Sequence, residues 1–228
     1  MSLEFPLSVR AVMIDLDGTL LDTIPDLAIA ANAMLAAMKR PALDVDLIRT
    51  FVGKGIPKLV EKTLAATYDV EPTEEQCASA LEIFEGCYAA VNGKHTAVYP
   101  GVFEGLKQMR EMDLPLACIT NKAGRFTHPL LERMRLAPYF SEVVAGDTLP
   151  RKKPDPMPLL HACKTFGIRP ADMLMIGDSL NDAEAARSAD CPVFCVNYGY
   201  NEGRDVRELD IDAIVPSLLE AARLIRKR

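Results

Sequence analysis

Apolar positions repeat with different periods in different parts of this chain. Ala11 to Ile14 is a short unbroken apolar run of the kind a buried strand requires. From Pro25 to Met38 the spacing changes, with Ala28, Ala31, Leu35 and Met38 recurring at three- and four-residue steps, which predicts a helix. Asp44 to Phe51 reads as a second, shorter helix. Gly53-Lys54-Gly55 interrupts the pattern, and Leu59, Val60 and Leu64 resume it over Ile56 to Thr67. Pro72-Thr73-Glu74-Glu75 is a helix-start signal with Thr73 at the N-cap, and that helix runs towards Val91. Residues 25–91 therefore read as wholly helical. A loop between a strand and its following helix usually spans about two to six residues, so this stretch is too long to be one. It is expected to be an inserted helical domain over 23–91, with 1–22 and 92–228 forming a core around it.

After Tyr99-Pro100-Gly101 helical and strand-like segments alternate. A helix to Met112 precedes the apolar run Leu114 to Ile119, and a helix over Arg125 to Arg135 precedes a strand over Glu142 to Ala145. Met157 to Phe166 reads as helix, Met173 to Ile176 as strand and Asn181 to Ala189 as helix. Val193 to Val196 and Ala213 to Val215 close the strand series before a final helix. The basic residues Arg223, Arg226, Lys227 and Arg228 are expected in that helix's last turn, facing its dipole. Such alternation predicts an α/β fold: a doubly wound parallel sheet, Rossmann-like, with helices on both faces and a small all-helical insert.

Composition narrows the function classes. The 228 residues are 49% hydrophobic and 25% charged with a net charge of −6, ordinary for a globular protein and unsuited to a general nucleic-acid binder. No apolar run approaches the roughly 18 residues of a membrane span, and the N-terminus lacks a signal-peptide pattern, so a cytoplasmic protein without a membrane partner is expected. Cys77, Cys87, Cys118, Cys163, Cys191 and Cys195 show no CxxC spacing, and His95, His128 and His161 stand at no zinc-ligand spacing to them.

The candidate chemistry lies at strand ends. Asp15 and Asp17 follow the first strand at i and i+2, so in extended backbone their side chains leave the same face. Gly18 then allows a sharp turn or a close approach of backbone to a ligand. Two converging carboxylates repel one another, and a hard divalent ion such as Mg²⁺ relieves the conflict; an N-capping aspartate cluster is the ordinary alternative. Thr120, Asp147 and Asp178 also fall just past the carboxyl ends of strands, where open α/β sheets bind ligands.

Asp15-x-Asp17-Gly18-Thr19, Thr120-Asn121, Lys153-Pro154 and Gly177-Asp178-Ser179-x-x-Asp182 together resemble the four motifs of the haloacid dehalogenase-like phosphatases. The runs Thr120-Asn121-Lys122, Gly146-Asp147-Thr148-Leu149-Pro150, Lys153-Pro154-Asp155-Pro156 and Tyr198-Gly199-Tyr200-Asn201 are similar to bacterial phosphoglycolate phosphatases in particular. The helical insert is similar to that family's small cap. Two positions depart from the pattern: Ala123 stands where many relatives have proline, and Asp190 where a glycine is usual.

The resemblance implies a Mg²⁺-dependent hydrolase of a small anionic phosphate ester, most naturally 2-phosphoglycolate, working as a monomer or homodimer. It implies Asp15 as the nucleophile that forms an aspartyl-phosphate, and Asp17 as acid and base. Asp15, Asp178 and the backbone carbonyl of Asp17 would hold the metal. Thr120 and Asn121 would hold phosphate oxygens, Lys153 would neutralise the phosphate, and Asp182 would order Lys153 or a metal-bound water. Lys54, flanked by glycines in the insert, is expected to present a cation to the substrate's far end. Each residue has an ordinary reading as well: Asp178-Ser179 as a helix cap, Lys153 as part of a solvated basic loop, Thr120-Asn121 as a turn, and Gly53-Lys54-Gly55 as a helix-helix connection. His128 and His161 read as surface or packed residues, and Asp147 and Asp155 as possible loop caps. A sugar-phosphate phosphatase, pyrophosphatase or phosphomutase could share the core. A receiver-like phosphoacceptor module is the non-enzymatic alternative, disfavoured by the helical insert and by Asp17.

Overall fold

The computed structural model of the chain describes residues 4–68 and 71–228. Regular structure begins with strands β1 (Leu7–Val9) and β2 (Ala11–Ile14), the latter buried along its whole length. A two-residue strand, β3 (Leu21–Asp22), leads into the helices α1 (Ile24–Ala37), α2 (Val45–Arg49), α3 (Ile56–Ala65) and α4 (Glu74–Val91). Strand β4 (Ala97–Val98) then pairs antiparallel with β3, so the chain leaves and rejoins the sheet region at one place. Beyond it come α5 (Val102–Glu111), β5 (Leu116–Ile119), α6 (Gly124–Arg133) and β6 (Glu142–Val144). The last part holds α7 (Met157–Phe166), β7 (Met173–Gly177), α8 (Leu180–Ser188), β8 (Val193–Val196), β9 (Ala213–Val215), α9 (Leu218–Arg223) and β10 (Ile225–Lys227).

Among the described residues the main sheet has six strands in the order β6-β5-β2-β7-β8-β9, every neighbouring pair parallel. From β2 the chain builds outward through β5 and β6, then crosses back to lay β7 against the other edge of β2. The order reverses at β2, and a crevice opens there beyond the carboxyl ends of the strands. Strand residues alternate between two cores, as period-two geometry requires. Val12, Ile14, Cys118, Leu174 and Ile176 pack with Leu106 of α5, Leu130 of α6 and Leu218 of α9. Ala11, Met13, Ala117, Ile119 and Met175 face the other way, onto Leu159 of α7 and Ala186 of α8. The fold is thus a doubly wound, Rossmann-like α/β core carrying a small helical cap.

The cap helices enclose a third cluster that includes Met34, Leu35, Ile48, Leu59, Leu64, Phe84 and Tyr88. Phe126 and Tyr200 of the core also enter that cluster, so the cap rests on the core through apolar contact. As its sequence predicts, α4 starts in a capping box, with Gln76 N–H donating to Thr73 and the Gln76 side chain accepting from Thr73 N–H. Asp26, buried at the start of α1, accepts hydrogen bonds from the backbone of Gly93, His95 and Thr96 and from the Thr96 hydroxyl. That carboxylate ties the outgoing link of the insert to its incoming one.

Three features differ from the sequence pattern. The basic tail does not finish a helix: α9 ends at Arg223, and Ile225–Lys227 pairs in parallel with β1. Ile225 is buried by this pairing, and tertiary strand pairing overrides the local helical signal. The pairs β1–β10 and β3–β4 are too short to show a period of their own. Asp190, at the position where glycine is usual, takes φ 58° just after α8, the left-handed region that aspartate tolerates better than most residues. Among the described residues no helix is long and apolar enough to cross a membrane.

Asp26→Ala should lower unfolding free energy by about 2–4 kcal/mol, because it leaves buried backbone N–H groups without an acceptor. Urea unfolding checks this, and a change below about 0.5 kcal/mol would deny Asp26 a structural role.

Candidate active site

Strand β2 ends at Ile14, and Asp15 continues it with its N–H donating to the carbonyl of Ile176 on β7. This fixes Asp15 at the switch point of the sheet. Lys153, on the loop before α7, brings its ammonium to the same place. It donates to Asp15 Oδ1 at 2.7 Å, to Asp182 Oδ1 at 2.6 Å and to the Ile119 carbonyl at 2.7 Å. With Lys153 only 3% exposed, all its donor capacity is taken up within the protein.

Asp182 serves two masters through its position in the first turn of α8. Its Oδ2 accepts from the N–H groups of Asp178 and Ser179 and from the Ser179 hydroxyl. Ser179 is the N-cap residue, so the capping role falls to Ser179 and Asp182. Asp178 is left free of it. Its Oδ1 accepts from Thr19 Oγ1 at 3.2 Å and its Oδ2 from Tyr200 N–H at 2.7 Å. The turn at Gly18, φ 89°, passes so close that a Cβ there would collide with the Asp178 carboxylate.

Asp15, Asp178 and Asp182 each offer a carboxylate oxygen, and these oxygens lie within 4.8 Å of one another. Burial pushes Asp15 well above the usual carboxylate range, with the charges of Asp182 and Asp178 adding to it and Lys153 opposing. Asp178 is pushed up to about 7, first by burial and then by the charge of Asp182. One ammonium does not balance this group, and its all-oxygen donors suit a hard divalent cation. Asp182 is engaged by Lys153 and by the α8 N-terminus, and Asp15 and Asp178 could hold such a cation beside it.

Asp17 goes elsewhere. Both of its carboxylate oxygens accept from Lys122 Nζ, at 2.9 and 3.1 Å. Burial disfavours the Lys122 ammonium, but the adjoining Asp17 carboxylate outweighs that and keeps it charged. Thr120, just past β5, is buried and its hydroxyl accepts from Lys122 N–H. Asn121 reaches the cap, its side-chain amide donating to the carbonyls of Gly53 and Lys153 at 2.9 Å each. One cavity collects Asp15, Asp17, Thr120, Asn121, Lys122, Lys153 and Asp178 from the core, roofed by Leu27, Val52, Gly53, Gly55, Ile56 and Leu59 from the cap.

Two expected site residues do not line this cavity: Asp182, which meets it through Lys153, and Lys54. The Lys54 ammonium lies 3.2 Å from Glu202, which Lys62 also contacts at 3.2 Å, so the side chain joins cap to core beside the cavity mouth. The glycines on either side of it line the cavity in its place. Asp147 accepts from the N–H of Gly124, which it reaches across the fold at the start of α6, and Asp155 from that of Met157 two residues on, in the local manner of a loop cap. Cavity residues to which the sequence reasoning gave no role are Lys122, Asn181 and Tyr200, whereas Ser179 is the helix cap that its motif also suggests. Lys122 and Tyr200 stand inside motif runs, yet only their distance to the aspartates shows what they touch.

A family model for haloacid dehalogenase-like hydrolases matches residues 12–196. The chain belongs to that family. It is 57% identical over 225 residues to a phosphoglycolate phosphatase of Nitrosospira multiformis, covering 99% of each chain. A phosphoglycolate phosphatase of Thiobacillus denitrificans is 52% identical over 224 residues, with 98% of this chain and 99% of that one covered. Among solved structures, one described as a predicted phosphoglycolate phosphatase from Haemophilus somnus superposes with a TM-score of 0.89 at 31% identity, covering 93% of this chain and 96% of the other.

Gly18→Ala should weaken divalent-cation binding by about tenfold or more, because a Cβ on the left-handed turn at position 18 pushes the Asp178 carboxylate aside. Isothermal titration calorimetry reads the affinity, and an unchanged value would remove Asp178 from the cation site.

Proposed function

We propose that this chain is a Mg²⁺-dependent phosphomonoester hydrolase whose substrate is 2-phosphoglycolate, cleaved to glycolate and phosphate. The observation that carries the reading is the convergence of Asp15, Lys153 and Asp178 at the sheet's switch point, with Asp17 lining the same cavity. The substrate follows the name of the relatives that match along the whole chain.

In this reading Asp15 is the nucleophile. One of its oxygens forms a bond to phosphorus while the ester P–O bond breaks, leaving an aspartyl-phosphate. Lys153 holds Asp15 in line and offsets charge on the phosphoryl oxygens. Asp17 gives its proton to the departing alkoxide. As a carboxylate it then takes a proton from water, whose oxygen attacks phosphorus and regenerates Asp15. Asp15, Asp178 and the backbone carbonyl of Asp17 are the donors for Mg²⁺, whose charge screens the approach of one anion to another. Thr120 and Asn121 bound the phosphate end of the cavity.

The helical segment 23–91 acts as the cap and 1–22 with 92–228 as the core. Roofing by Leu27, Val52, Ile56 and Leu59 excludes water from the reacting atoms and strengthens charge interactions beneath it. The Gly53 to Ile56 backbone, rather than the Lys54 side chain, is the part of this loop that meets the substrate.

Purified protein with Mg²⁺ should release phosphate from 2-phosphoglycolate, lose that activity in EDTA and regain it with excess Mg²⁺. Equal rates with and without EDTA would reject the metal. Asp15→Asn keeps shape but removes the attacking charge, so kcat should fall by roughly 10⁴-fold or more with the melting curve intact. Asp17→Asn should cost roughly 10²- to 10⁴-fold, and less in phosphoryl transfer from p-nitrophenyl phosphate, whose leaving group needs little proton donation. Near-normal turnover in either variant would remove that residue from its role.

A further inference from the structure

Phosphate and metal look alike in every phosphate monoester, so the residues that address them cannot select a carboxylate at the other end of the substrate. A buried carboxylate needs a cation. Among the described residues lining the cavity, only Lys122 and Lys153 carry positive charge. Lys153 is saturated by Asp15, Asp182 and the Ile119 carbonyl. Outside the lining, Lys54 and Lys62 share Glu202, and Lys152 donates to the carbonyl of Lys54.

Lys122 differs from all of these. Its side chain is 2% exposed, and its ammonium hydrogen-bonds both carboxylate oxygens of Asp17. The ring of Tyr88, from cap helix α4, covers it at 5.0 Å from centroid to nitrogen. Its backbone is pinned on both sides: the N–H donates to Thr120, and the carbonyl accepts from Gly146 N–H and the Thr127 hydroxyl. The cation is therefore preorganised, and what it holds in this structure is the residue that must reach the ester oxygen.

From this we propose that Lys122 is the specificity residue: its ammonium exchanges the Asp17 carboxylate for the carboxylate of the bound substrate. The inference rests on the hydrolase reading above. In 2-phosphoglycolate a single methylene separates the ester oxygen from the carboxylate. When Asp17 addresses the ester oxygen, the substrate carboxylate lies within reach of the ammonium that touched both Asp17 oxygens. The exchange keeps the buried ammonium paired throughout and releases the Asp17 side chain towards the leaving group. An ester without an anionic end leaves Asp17 on Lys122, so selection acts on turnover as well as on binding.

The test compares 2-phosphoglycolate with 2-hydroxyethyl phosphate, which lacks the carboxylate. In the wild-type protein kcat/KM should favour 2-phosphoglycolate by roughly 10²-fold or more. Lys122→Met should remove most of that preference, with the loss concentrated on 2-phosphoglycolate and less than about tenfold on the other ester. Lys122→Gln carries the same comparison if the methionine variant does not fold. Equal losses on both esters would leave Lys122 as a support for Asp17 alone and overturn the proposal, as would equal wild-type values. Absence of hydrolysis of any phosphate ester would instead overturn the hydrolase reading.

Discussion

Lys153 places a fully buried ammonium between Asp15, Asp182 and the carbonyl that ends β5. Four parts of the chain distant in sequence therefore meet within hydrogen-bond length, and removing Lys153 leaves buried carboxylates uncompensated. Desolvation disfavours every charged group in the set, yet the two carboxylates outweigh it at Lys153 and keep that ammonium charged. The rest of the site is arranged around this contact. Asp182 can face Lys153 because its other oxygen is fixed by the first N–H groups of α8. Asp178 is thereby relieved of capping, and Thr19 and Tyr200 hold it instead.

A second tier of contacts joins the cap to this centre. Asn121, which lines the cavity, donates to the carbonyl of Gly53 on the cap loop. Tyr200 contributes its N–H to Asp178 and, through its hydroxyl, accepts from Thr23 N–H at the cap's entry. The same side chain lines the cavity. Cap position and carboxylate geometry are thus read by shared residues, and the pairing of Lys54 and Lys62 with Glu202 closes the rim between them. Polar contacts of this kind give register, while Phe126 and Tyr200 among the cap's apolar residues give the contact its area.

Much of this was legible in the chain itself. Apolar periodicity marks β2, β5, β7 and β8 and the helices between them, since burial on both faces demands unbroken apolar runs. The Thr73 cap, the glycine turn after Asp17 and the carboxylates at strand ends are local patterns whose physics does not depend on distant residues. The order of strands was implied only by alternation, and the position of β2 at the centre required the pairing itself. Strands of two or three residues, such as β3, β4 and β10, carry too few positions to show a period and exist because a partner backbone lies beside them.

The sequence by itself determined the elements, the motif residues and the clustering of carboxylates beyond the strands, because these follow from spacing along one chain. Only the tertiary structure decided which charges meet. The glycines around Lys54 single it out as the candidate cation, while nothing local distinguishes Lys122 within its Thr120-Asn121-Lys122 run. Folding turns Lys54 to Glu202 and buries Lys122 against Asp17 and Tyr88, since the direction of a long side chain is set by the neighbours available to pair with it.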